Sequence, residues 1–206
     1  LLRALSEDYH WTAPTMVTPT VGTDDVLPTD DLIGSRFEVA LGHLVHKALA
    51  WLATTQTNAA DLLPNRLESW STQLDVDPAD LPGLIQQAQQ HLECVSSSQH
   101  GQWLLSDHES AQCEWAISGL DHQGQARNAI IDRYFVADQQ RWIIDYKTAT
   151  PNHESQSKEQ FLQEQRERYR PQLERYRQLV TQLHFDDPLP IRAALYFTGL
   201  GELHEQ

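Results

Sequence analysis

The chain has 206 residues, 40% of them hydrophobic and six of them Trp, which suits one folded domain and excludes a disordered tail. A formal net charge of −14 argues against a stand-alone tight nucleic-acid binder, because Lys and Arg contacts to phosphate supply most non-specific affinity. It leaves room for an enzyme whose partner domains hold the nucleic acid. No apolar run approaches the roughly 20 residues of a membrane span. Cys94 and Cys113 are too few for a four-thiolate metal site or a disulfide scaffold, so a cytoplasmic protein is expected.

The sequence opens without Met and without a basic-then-apolar leader, which predicts a fragment of a longer protein. Residues 1–34 are rich in Pro, Thr and Asp without steady periodicity, and read as an extended arm or linker. A domain is expected over 35–206. Its first helix, over 35–54, carries Phe37, Leu41, Leu44, Ala48, Trp51 and Leu52 on one stripe and Arg36, His43 and Lys47 on the polar side. His46 falls at the edge of the apolar arc, one turn after Gly42; taken alone, such a histidine is more often a satisfied core residue than a ligand. Residues 58–100 read as a helical insertion covering one side of the core, with Asp77-Pro78 opening a helix. No chemistry is expected there.

Strands are expected near 103–105, over 112–119, and in a hairpin over 126–148. The hairpin joins Ile130-Ile131-Asp132-Arg133-Tyr134 to Trp142-Ile143-Ile144-Asp145-Tyr146-Lys147-Thr148. A carboxylate inside an apolar sheet is costly unless it is paired or holds a metal. If the hairpin folds symmetrically about Asp138–Gln139, Asp132 lies opposite Asp145, and like charges so placed are destabilising without a cation. Strand alternation puts Asp145 and Lys147 on one face and Tyr146 on the other. Glu114, on the preceding strand, ranks below these as a supporting acid, because an edge-strand Glu is usually just solvated.

A long helix is expected over 158–183, kinked or divided at Pro171, with Tyr169, Gln172, Leu173 and Tyr176 on one face. Arg166, Arg168, Arg170, Arg175 and Arg177 make it the most basic stretch, a pattern that is usually a solvated face. A last strand is expected over 191–198.

In order, Gly42-x-x-x-His46, Asp132, Asp145-Tyr146-Lys147 and Tyr169-x-x-Gln172-Leu173-x-x-Tyr176 resemble the PD-(D/E)XK nuclease superfamily. They look most like the RecB-type nuclease domain at the C-terminus of AddA and RecB helicase–nucleases. The resemblance covers roughly 41–198, and Ile143-Ile144-Asp145-Tyr146-Lys147-Thr148 is its most specific part. It implies an α/β fold with a restriction-endonuclease-like core, a mixed central sheet flanked by helices. It implies a deoxyribonuclease using Mg²⁺, with Mn²⁺ as a substitute, and no iron–sulfur cluster, since relatives with that cluster carry four cysteines. His46, Asp132, Asp145 and the Tyr146 carbonyl would be the metal ligands. Lys147 would act on the attacking water or the developing charge, and Gln172 and Tyr176 would position the scissile phosphate or the lysine. The implied partners are single-stranded DNA, a helicase motor in the same polypeptide and a second subunit, in double-strand-break repair and recombination. A silent nuclease-like docking module and a stand-alone endonuclease remain alternatives.

Overall fold

The computed structural model describes residues 35–55, 63–121, 123–151 and 156–206. The arm expected over 1–34 lies outside them. Helices α1 (Arg36–Thr55), α2 (Leu63–Ser71), α3 (Leu81–Ser97) and α4 (Gln99–Leu105) precede three strands, β1 (Glu109–Leu120), β2 (Ala126–Ala137) and β3 (Gln140–Lys147). Helix α5 (Lys158–Leu183) crosses over to β4 (Ile191–Phe197), and β5 (Glu202–Glu205) ends the sheet. The strands lie in the order β1-β2-β3-β4-β5, antiparallel except for β3 and β4, which α5 connects in parallel.

Two apolar layers hold the sheet. On one face, α1, α3 and α4 pack Leu44, Val45, Leu84, Leu92 and Leu104 against Phe135, Ile144, Tyr146 and Tyr196. On the other, α5 packs Tyr169, Leu173, Tyr176 and Val180 against Ile131, Ile143, Leu195 and Phe197. Strand β3 is covered on both faces, which is why it reads as a continuous apolar run and not as an alternation. This is the expected α/β architecture with a mixed sheet.

Three local expectations change. Residues 103–105 belong to helix α4, because the Ser98 hydroxyl caps it by accepting from Gly101 N–H, and a short apolar run cannot by itself tell strand from helix. Asp77 does not open α3: its carboxylate accepts from Ala79 N–H in a turn, and the helix begins four residues later with Pro82 in its first turn. Pro171 does not divide α5. It faces solvent, where water can satisfy the carbonyl its ring leaves unbonded. Strand β5 was not anticipated from its four residues, Glu202–Glu205.

The hairpin has the expected register. Ala137 pairs with Gln140 and Arg133 with Ile144, as expected for as far as the ladder runs; Asp132 and Asp145 lie one step beyond its last pair. Asp138 and Gln139 both have positive φ, 52° and 58°, as a two-residue type I′ turn demands. Like Ser110 at the start of β1, Glu114 is left-handed, at φ 48°, and it lies at the level of Asp132, between the Cys113–Arg133 and Trp115–Ile131 pairs. At this level the side-chain alternation inverts in both strands. Phe135 faces the α1 layer, whereas Ile131, Ile117 and Trp115 face the α5 layer, although all four are odd-numbered on paired strands. The sheet therefore changes face at the Glu114–Asp132 step.

Left-handed backbone costs an L-residue about 1–2 kcal/mol. Gln139→Gly is thus expected to raise stability in denaturant unfolding, by up to about 1 kcal/mol, and Gln139→Val to lower it.

Candidate active site

The site forms where the β2–β3 ladder ends. Beyond the Arg133–Ile144 pair the backbone partner of Tyr146 N–H is replaced by a side chain: Asp132 Oδ2 accepts at 2.6 Å. The Tyr146 carbonyl points to the same side of its strand as its N–H, into the gap that opens there. Asp132, Asp145 and Lys147 are all buried, at 8%, 3% and 4% exposure.

Each carboxylate has a cationic neighbour. Lys147 Nζ lies 2.8 Å from Asp145 Oδ2 and 3.8 Å from the centre of the Tyr169 ring, so α5 holds the ammonium from its far side. Gln172 Nε2 donates to Asp145 Oδ1 at 3.1 Å and to the Tyr176 hydroxyl at 2.6 Å. The α5 face thus reaches the lysine through Tyr169 and the acid through Gln172. From the opposite layer, α1 brings His46 Nδ1 to 3.3 Å from Asp132 Oδ1, with its ring edge-on to Tyr146 at 5.8 Å.

These contacts set the protonation states. Burial alone would lower His46, but the charge and hydrogen bond of Asp132, aided by Asp145 and opposed by Lys147, raise it to about 9. Burial would raise Asp132, yet His46, Lys147 and the Tyr146 N–H together hold it below the ordinary carboxylate value. Partial withdrawal from water and the charges of Asp132 and Asp145 push Glu114 up, against the pull of His46.

Sequence reasoning underrated Glu114. His46, Glu114 and Asp132 each offer a ligand atom within 4.8 Å of the others, an arrangement that could hold a metal ion. The left-handed turn of the backbone at Glu114 had no signature in the residue itself. Asp145 stands outside that trio, engaged by Lys147 and Gln172. The donor set of carboxylates, one imidazole and a backbone carbonyl fits a hard divalent cation with borderline character.

His91 was missed altogether. It projects from α3, and its Nδ1 lies 2.8 Å from Thr198 Oγ1, which in turn donates to the Lys147 carbonyl at 3.2 Å. The Thr198 oxygen therefore accepts from His91 Nδ1–H. Burial lowers His91 and keeps it neutral.

The family model of the PD-(D/E)XK nuclease superfamily matches residues 25–205. The chain belongs to that superfamily. Its mixed five-stranded sheet is the restriction-endonuclease-like α/β fold, and membership carries metal-dependent nuclease chemistry and DNA as the substrate class. No curated protein matches the sequence. Among the described residues no helix is long and apolar enough to cross a membrane.

The metal-free His46–Asp132 pair is directly testable. In EDTA, the His46 imidazole should titrate by NMR with a midpoint near 9. In Asp132→Asn, which removes the carboxylate charge and leaves Asp145 alone to oppose burial and Lys147, the midpoint should fall well below 9.

Proposed function

We propose that this chain is the Mg²⁺- or Mn²⁺-dependent deoxyribonuclease domain of a RecB-type helicase–nuclease, acting in double-strand-break repair and recombination. The observation that carries the nuclease reading is the convergence of Asp132, Asp145 and Lys147, all buried, at the open end of the β2–β3 hairpin. The helicase-linked reading is supported by the order of the four motifs and by charge. At −14 the surface repels a polyanion, so a strand is best delivered by a motor in the same polypeptide, with a second subunit helping to hold it. A cytoplasmic location follows from that role.

In this mechanism His46, Asp132, Asp145 and the Tyr146 carbonyl would hold the ion. A bound divalent ion would neutralise the phosphoryl oxygens and make its water acidic. The protein's own groups do the rest. Lys147, fixed between Asp145 and the Tyr169 ring, orients the attacking water and meets charge that develops on the phosphoryl group. Gln172 is a positioning residue: by donating to Asp145 Oδ1 and to Tyr176 it fixes the carboxylate that Lys147 touches. Glu114 supplies a further negative charge beside His46 and Asp132.

The silent docking reading has one observation in its favour. The His46–Asp132 and Asp145–Lys147 pairs neutralise the site without an ion.

Incubating the chain with single-stranded and duplex DNA separates the readings. Cleavage is expected only with Mn²⁺ or Mg²⁺, and Asp145→Ala or Asp132→Ala should reduce it at least about a hundredfold. Metal-dependent cleavage that survives Asp145→Ala would sink the assignment, and tight binding without cleavage in any metal would favour the docking module. Calorimetry of Mn²⁺ binding offers a second check. A ligand imidazole must be neutral, and His46 titrates at about 9, so binding at pH 7 should release about one proton and strengthen as pH rises towards 9.

A further inference from the structure

A cleft of about 340 Å³ opens beside the site, lined by α1, α3 and α5, with Tyr146, Lys147 and Thr148 of β3 and the chain after it in its wall. Its volume is at the lower end of small-ligand pockets. Three features of its lining are unexplained by folding.

The first is Gly42, in the middle of α1. A Cβ there would meet only Thr148 Oγ1, at an ordinary 3.8 Å, and the backbone is not left-handed. Glycine disfavours helix interiors, so neither packing nor conformation calls for it; its effect is to leave the cleft open. The second is Gln165 on α5, whose Oε1 is buried with no hydrogen-bond partner. The third is Arg168, one helical turn on. Among the described residues no carboxylate lies within ion-pair distance of its guanidinium, which sits 5.4 Å from the centre of the Tyr169 ring.

Charge and polarity divide this lining. Lys147 and Arg168 place cationic groups around it, whereas Gln87 and His91 of α3, with Gln165 facing from α5, offer neutral donors and acceptors. Thr198 takes the His91 Nδ1 hydrogen, so its other ring nitrogen is an acceptor. Glu38 is the one carboxylate among the lining residues, and Ser35 N–H already donates to it at 2.7 Å.

We propose that this cleft is a subsite for one unpaired nucleotide next to the scissile phosphate, with Arg168 on its phosphate and Gln87, Gln165 and His91 on its base edge. The inference rests on the nuclease reading and deepens it. A base whose edge is covered by α3 cannot be paired to a second strand, so the subsite makes the enzyme prefer single strands. Helix α3 then belongs to substrate selection as well as to the core.

The test compares two probes of equal charge on the full chain in EDTA: a five-residue oligothymidylate and a five-residue abasic deoxyribose-phosphate strand. Fluorescence anisotropy should show the wild type binding the thymidylate about tenfold more tightly, as an accommodated base requires. Gly42→Leu fills the cleft. It should abolish that preference while leaving Mn²⁺ affinity unchanged and the melting temperature no lower. Arg168→Ala should weaken both probes equally. Should Gly42→Leu fold poorly, Gln87→Leu, on an exposed position, is expected to shrink the preference instead. Equal binding of the two probes by the wild type, no measurable binding of either, or a preference that survives both variants overturns the subsite. Failure of the nuclease reading is separate: it would appear as no cleavage in any metal, whether or not the base preference is seen.

Discussion

The hydrogen bond from Tyr146 N–H to Asp132 Oδ2 is the contact on which the site's geometry depends. In an uninterrupted antiparallel ladder that donor would face a backbone carbonyl of β2. Here a carboxylate takes its place, so the strands part beyond the Arg133–Ile144 pair, and the buried donor remains satisfied. At the same level, that of the left-handed residue Glu114 of β1, the sheet turns over. One end of the hairpin thus becomes a cleft that α1 closes with His46 from one layer and α5 closes with Tyr169 and Gln172 from the other.

Electrostatics explains why such a cleft is tolerable without a ligand. Asp132 has a protonated His46 beside it, and Asp145 has Lys147 and the Gln172 amide. Breaking one member of such a buried pair is strongly destabilising, by roughly 3–5 kcal/mol, so removal of either cation is felt by the fold as well as the chemistry. In the proposed enzyme the same cations yield to a metal. As a ligand His46 would have to give up its proton, whereas Lys147 would keep its charge for the phosphate. The acidic surface sets a complementary limit, since it supplies little of the attraction a free nucleic acid would need.

Much of this was legible in the residues. The two apolar runs on either side of a polar break gave the hairpin its register, because a turn centred on Asp138–Gln139 fixes which residues pair. The i, i+3, i+4, i+7 spacing of Tyr169, Gln172, Leu173 and Tyr176 gave α5 its buried face. What escaped were properties of tertiary context. Helix α4 is decided by the Ser98 cap, Glu114 by a single left-handed dihedral, and His91 by the meeting of α3 with Thr198, 107 residues away in sequence. No local pattern carries such information.

The central claim is that the parted end of the β2–β3 hairpin is a divalent-metal site. Anomalous scattering from a crystal soaked in Mn²⁺ tests it most directly. The account predicts a peak within bonding reach of the Asp132 and Asp145 carboxylates, with His46 and the Tyr146 carbonyl completing the protein's share. A crystal with no manganese there, and with the His46–Asp132 and Lys147–Asp145 pairs intact, would contradict it.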